Sequence, residues 1–269
     1  MKLRFDPLQI FTSSQTPVGL YARQKWLGEE KTSKWQADFQ ACVKGLFKNQ
    51  AANGSWDQNP LTTIKRLFGL HLTLRSASSP IKTALGWLLA GLDQPEEPRI
   101  PLEHSISESD LQGLPFVPSH PDMLLMGATL FLCSTFGLQD DTRVLDLYHR
   151  LTPEDPERPS WLDDWASRHN ILRALVVHPT TYSDDAVTQS AVEHLAALQT
   201  EDGEWGNDLP FLQTLNVLAH LTSPQVEKQL EKAFPRALEL QESDGTFSRL
   251  EPEWNTFLTV HALKNKGLI

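Results

Sequence analysis

Gln199-Thr-Glu-Asp-Gly203-Glu-Trp205 is the stretch on which the fold turns: a glutamine, a glycine four positions on, and an aromatic residue two further. The same spacing recurs at Gln50-Ala-Ala-Asn-Gly54-Ser-Trp56 and, with phenylalanine for tryptophan, at Gln241-Glu-Ser-Asp-Gly245-Thr-Phe247. Each copy follows one apolar run of helical period and precedes another. Before Gln199 stands Ala186–Leu198, whose apolar residues recur three and four apart. Gly203 then supplies the stop, because a left-handed turn costs little at glycine. Leu209-Pro210 opens the next helix, where proline suits the first turn. The unit is a pair of helices joined by a glycine turn, and neighbouring pairs bury their apolar faces on one another.

Extending this period along the chain predicts outer helices near 36–50, 80–92, 141–151, 184–199 and 226–241. Inner helices are predicted near 60–75, 122–137, 162–178, 209–223 and 254–266, with a closing helix around Val18 to Leu27. The middle pairs lack the Gln-Gly-aromatic pattern and rest on periodicity alone. Five to six such pairs make an all-α chain, read as an α/α toroid forming a single domain over residues 1–269, and an open arc satisfies the same local pattern. Residues 93–122 interrupt the pattern. Pro95, Pro98, Pro101, Pro115, Pro118 and Pro121 forbid continuous helix there, so the segment reads as a long loop over one mouth of the ring.

These residues resemble the squalene cyclase and prenyltransferase repeat superfamily, whose Gln-Trp motif has the form Gln-x3-Gly-x-Trp. The resemblance runs from about residue 36 to the C-terminus, with a degenerate middle third. It implies a terpenoid-cyclase-like toroid. It also implies that Gln50, Gly54, Trp56, Gln199, Gly203, Trp205, Gln241, Gly245 and Phe247 are structural, the glutamines capping helix ends and the aromatic rings stacking beside them.

Chemistry is best sought at Ser160-Trp161-Leu-Asp163-Asp164-Trp165, where an inner helix starts. Class II terpenoid cyclases carry Asp-x-Asp-Asp at a comparable helix start, and its unusually acidic carboxyl protonates an alkene or epoxide. Here Trp161 replaces the first Asp. The resemblance puts Asp163 at the proton donor's place, with Asp164 beside it. Two adjacent carboxylates sharing one proton raise one pKa and give a usable acid in an apolar cavity. Trp161 and Trp165 offer π-faces to a carbocation, and His169 lies one to two turns further on. The competing reading is plain helix capping, since an Asp at a helix start binds free backbone N–H groups and complements the dipole. Asp208 and Glu253 stand at similar points of later repeats.

No metal or cofactor is expected. Asp140-Asp141-Thr-Arg-Val and Asp184-Asp185-Ala-Val-Thr lack the last Asp of the magnesium motif of class I synthases. The zinc-binding Asp, Cys and His of prenyltransferases have no equivalent. Cys133, in the apolar run Leu130-Phe-Leu-Cys133, reads as core. His71, His178, His220 and His261 fall near the C-terminal ends of inner helices, yet helices packed about 8–10 Å apart need not bring such side chains onto one ion. Walker, dinucleotide-glycine, Ser-His-Asp and thioester signatures are absent.

A formal net charge of −10 argues against a nucleic-acid partner, whose phosphates need clustered Lys and Arg. Cys42 and Cys133 have no CxxC companion, no apolar stretch follows the basic residues of Met1 to Ile10, and no window of about 18 apolar residues occurs, which together predict a cytoplasmic chain without a membrane span. Two functions follow from different classes. One is a terpenoid-cyclase-like protein that binds an isoprenoid or similar apolar ligand and carries out metal-independent, proton-initiated cyclisation. The other is a non-catalytic toroid scaffold that binds an unspecified protein partner through its acidic surface and Pro-rich loop. A carbohydrate-active α/α toroid lyase or hydrolase is a third reading.

Overall fold

The computed structural model describes residues 2–93, 106–152, 164–179, 185–206 and 209–269. Regular structure among them is helical apart from isolated bridges at Gln50–Trp56 and Gln199–Trp205. Eleven α-helices follow in order: α1 Pro17–Lys25, α2 Ser33–Phe47, α3 Pro60–Leu74, α4 Ser79–Leu92, α5 Pro121–Thr135, α6 Thr142–Leu151, α7 Trp165–Leu175, α8 Ala186–Leu198, α9 Phe211–Leu218, α10 Pro224–Glu239 and α11 Pro252–Asn265. From α2 onward a helix stands at each of the predicted places. The caps explain why. Thr16, Asn59, Asp141, Asp164 and Ser223 each accept a backbone N–H of the first turn, and proline stands in the first turn of α1, α3, α4, α5, α10 and α11. Helix α9 is shorter than expected, because Pro224 forces Ser223 into extended backbone and the chain must turn before it.

The chain divides into two compact units, Val43–Thr181 and the combination of Met1–Cys42 with Tyr182–Ile269. In the first, α5 is the axis: α7, α3 and α4 all pack on it. Its sequence is apolar all round, and Leu124, Leu130, Leu132 and Cys133 are fully buried, as a central helix requires. Each such leucine contributes about 1.5–3 kcal/mol by leaving water. A Cβ at Gly127 would lie 3.0 Å from the Asn170 carbonyl oxygen, so the α5–α7 crossing is close. Of the Pro-rich segment, residues 94–105 lie outside the described residues. The rest is packed: Leu111, Leu114, Phe116 and Val117 are buried, and a short 3-10 turn at Glu108–Leu111 is closed by a Ser107–Asp110 capping box.

In the second unit α9 packs on α11 and α10, α8 on α10, and α1 on α11. Arg23 of α1 is fully buried and binds Glu29 and Asp38 at 2.8 Å each, and the Ser14 carbonyl at 2.9 Å, which fixes α1 to the start of α2.

The three Gln-Gly-aromatic segments adopt one local geometry. The residue after each glutamine donates its N–H to the carbonyl of the residue after the glycine, at 2.8 to 2.9 Å, and Gly54, Gly203 and Gly245 have φ of +92°, +92° and +89°. Each glutamine Nε2 donates to its own glycine carbonyl and to one neighbouring element. For Gln50 that neighbour is the Pro80 carbonyl in α4, at 3.0 Å; for Gln199 it is the Gln229 carbonyl in α10, at 2.9 Å. For Gln241 it is the Phe5 carbonyl, at 3.0 Å. The glycines explain themselves by the same contacts: a Cβ at Gly203 would come within 2.5 Å of the Lys232 carbonyl oxygen, and one at Gly245 within 2.3 Å of the Asp6 carbonyl oxygen. In the third copy, then, the N-terminal arm takes the place of the helix that the other two copies grip. Arg4 completes the docking, its guanidinium donating to the carbonyls of Leu238, Glu239 and Gln241 at 3.2, 3.0 and 2.8 Å. Trp56 and Trp205 are buried, with Nε1 donating to the Lys48 carbonyl and to Gln229 Oε1, both at 3.1 Å.

Candidate functional site

Helix α7 begins directly after Asp164. That carboxylate accepts the Ala166 N–H at 3.3 Å, the Ser167 N–H at 3.0 Å and the Ser167 hydroxyl. Asp164 is therefore the N-cap, with both oxygens engaged at the helix start. Trp161 and Asp163 lie outside the described residues. Trp165 is the first residue of α7 and half-buried.

His169 sits one turn into α7 and is buried, and neither ring nitrogen has a hydrogen-bond partner among the described residues. Burial, and secondarily the positive charge of Arg173, pushes its pKa down to about 3, so the ring is neutral at physiological pH. It can donate from one nitrogen and accept at the other, but it holds no proton to give. Arg173, one turn further, is buried too, and desolvation disfavours its charge. Asn170 clamps the packed end of the Pro-rich segment onto α7. Its Oδ1 accepts the Val117 N–H at 2.8 Å, while its Nδ2 donates to the Val117 carbonyl and to Ser119 Oγ, both at 2.9 Å. Helix α7 is thus tied to the packed end of the Pro-rich segment through Asn170.

Sequence reasoning also missed an aromatic cluster on α1 and α11. Phe257 stacks on Trp26 with ring centres 5.3 Å apart and on Trp254 at 5.7 Å, and meets Tyr21 edge-on at 5.3 Å. Tyr21 and Trp26 keep partial exposure. Only residue type signals such a cluster in sequence, and Trp254 and Phe257 are three apart on α11.

The histidines divide by environment. His71 packs among Phe68, Phe131 and Phe136, and His178 stacks on Tyr148 at 4.3 Å. His220 and His261 face each other, their ring centres 5.3 Å apart. Among the described residues no group of three or more His, Cys, Asp or Glu side chains is placed to hold a metal. Cys133 is a core residue whose thiol pKa burial pushes up to about 12. No helix among the described residues is long and apolar enough to cross a membrane.

Set beside known proteins, this helical arrangement has a class: the all-α, terpenoid-cyclase-like α/α toroid fold. The chain is similar to the type II terpene cyclase MstE from Scytonema, solved as a variant in complex with the substrate geranylgeranyl dihydroxybenzoate, at TM-score 0.59 and 14% identity, over 95% of this chain and 87% of that one. The apo form of MstE aligns at TM-score 0.56 and 14% identity, covering 95% and 89%. A protein from Actinoplanes aligns at TM-score 0.56 and 15% identity, covering 94% and 89%. No family model matches the chain, and no curated protein matches it.

Proposed function

We propose that the chain is a terpenoid-cyclase-like enzyme that binds an isoprenoid or similar apolar ligand and cyclises it without a metal, with Asp163 as proton donor. The observation that supports this reading is the start of α7. Asp164 spends both oxygens on the Ala166 and Ser167 donors, so of the two adjacent acids Asp163 is the one left to protonate a substrate. The Asp163 carboxyl gives its proton to an alkene or epoxide, the neighbouring double bond attacks the resulting cation, and loss of a proton from the cyclised cation restores neutrality. Aromatic faces stabilise such cations when water is excluded. Neutral His169 contributes through hydrogen bonding, not as an acid. That MstE is solved with a geranylgeranyl-bearing substrate makes an apolar chain the first ligand class to try.

The rival reading, a non-catalytic scaffold, draws on two features: Asp164 acts as a helix cap, and tryptophan stands at position 161 where the cyclase pattern has its first Asp. The test is to incubate purified protein, with EDTA, with squalene and a set of isoprenoid diphosphates, and to analyse extracts by mass spectrometry beside Asp163→Asn. A cyclic product that disappears in the variant establishes proton-initiated cyclisation. No product from any substrate overturns it in favour of the scaffold.

A further inference from the structure

The end of α9 and the last turn of α11 bring two imidazoles together. His220 lies in the turn that leaves α9, and His261 is four residues before Asn265 on α11. His220 Nε2 and His261 Nδ1 each lie 3.5 Å from one atom, Asn265 Nδ2, so the two ring nitrogens share one neighbour. At 3.5 Å these amide contacts are at the long end of hydrogen bonding and are displaced at little cost. A half-turn of the amide about its last torsion presents Oδ1 in place of Nδ2.

The ring spacing, ordinary for packed rings, is also that of two imidazoles on one ion. Two imidazoles bound at about 2.0–2.1 Å to one tetrahedral ion have ring centres about 5.2 Å apart. The centres of His220 and His261 are 5.3 Å apart, with the planes tilted by 33°. The rings are held in place: Phe257 stacks on His261 at 5.6 Å, and Asn216, whose Nδ2 donates to the Leu258 carbonyl at 2.9 Å, stands 3.5 Å from His261 Nδ1. A solvent-open cavity of about 540 Å³ reaches His220 and Asn265, so an ion and its waters have access. Lys266, which lines the same cavity, is paired with the Glu227 carboxylate and donates to the Leu221 carbonyl at 2.6 Å.

We propose that His220 and His261 form a binding site for a divalent transition-metal ion, with Zn²⁺ as the reference, completed by Asn265 Oδ1 and water. Imidazole nitrogen suits Zn²⁺, Cu²⁺ and Ni²⁺ over Mg²⁺ or Ca²⁺. The ion clips the turn after α9 to the end of α11. It is independent of the cyclisation reading, whose assay runs in EDTA.

The test is calorimetric titration of chelator-stripped protein with Zn²⁺, and with Mg²⁺ as the comparison, for the wild type, His220→Gln, His261→Gln and His149→Gln, the last an exposed histidine elsewhere. The expected result is one saturable Zn²⁺ site, no Mg²⁺ response, affinity lowered at least about tenfold in either site variant, and no change in His149→Gln. Mapping of diethylpyrocarbonate modification on the wild-type protein, which needs no variant to fold, should show Zn²⁺ protecting His220 and His261 together. Absence of saturable binding, or binding that survives both site substitutions or leaves both rings reactive, overturns the proposal.

Discussion

Replacing Gln241 with alanine tests whether the N-terminal arm is a working part of the third repeat. The side chain makes four hydrogen bonds: Oε1 accepts from Arg4 N at 2.9 Å and Phe5 N at 3.2 Å, and Nε2 donates to Phe5 O at 3.0 Å and Gly245 O at 3.3 Å. Gln50 and Gln199 make two each, at 2.9 to 3.2 Å. At a net of about 0.5–1 kcal/mol per bond, the lower part of the range because these bonds are only partly buried, Gln50→Ala and Gln199→Ala should each cost about 1–2 kcal/mol. Phe5 is 44 % exposed, so water can replace part of what the arm loses. With that discount, Gln241→Ala should cost about 2–3 kcal/mol. Urea unfolding gives the ranking, and amide exchange at Arg4 and Phe5 should accelerate in Gln241→Ala alone. Because Arg4 and Gln241 hold the same arm, Arg4→Ala and Gln241→Ala together should cost less than their sum. A Gln241→Ala protein no less stable than Gln50→Ala, with the arm amides still protected, would refute this account.

The remaining predictions concern single sites. Asp164→Ala should cost about 1 kcal/mol of stability, while Asp164→Asn, which still caps, should cost little, as thermal unfolding will show. His169 is held at about pKa 3 when folded and takes up a proton when unfolded near 6.5, so stability is complete above about pH 6.5 and falls towards pH 3. The slope is at most about 1.4 kcal/mol per pH unit, and in His169→Gln this component of an acid-unfolding series should vanish. Native protein should react with a thiol reagent at Cys42 only, slowly because burial raises that thiol as well, and Cys133 should react only after unfolding.

The alternation of helices was legible because one short pattern repeats three times and the apolar period carries through the middle pairs without it. Helix α3 runs Pro60–Leu74 where 60–75 was expected, and α11 runs Pro252–Asn265 where 254–266 was expected. Partners across the fold were not legible. Nothing in Gln241-Glu-Ser-Asp-Gly245 tells that its neighbour is Phe5 and Asp6, because the grip is on backbone carbonyls, which any residue supplies. The aromatic cluster of Tyr21, Trp26, Trp254 and Phe257 and the facing of His220 and His261 depend on how α1, α9 and α11 are rotated against one another, which the period of each helix does not fix. At the candidate site, periodicity placed the start of α7, and the capping bonds show what Asp164 does there. That Asn170 spends its amide on Val117 and Ser119 depends on how the Pro-rich segment packs, which the period of α7 does not fix.

The docking of Arg4 and Phe5 onto Gln241 joins partners 237 and 236 residues apart. During synthesis at about 5–20 residues per second, the arm leaves the ribosome roughly ten to fifty seconds before its partner exists. Val43–Thr181 has all its residues available well before then. Helix α1, with Val18 and Leu20 on its buried face, must wait through that interval without α11, on which it packs, which makes this stretch the natural target for a chaperone that binds nascent chains.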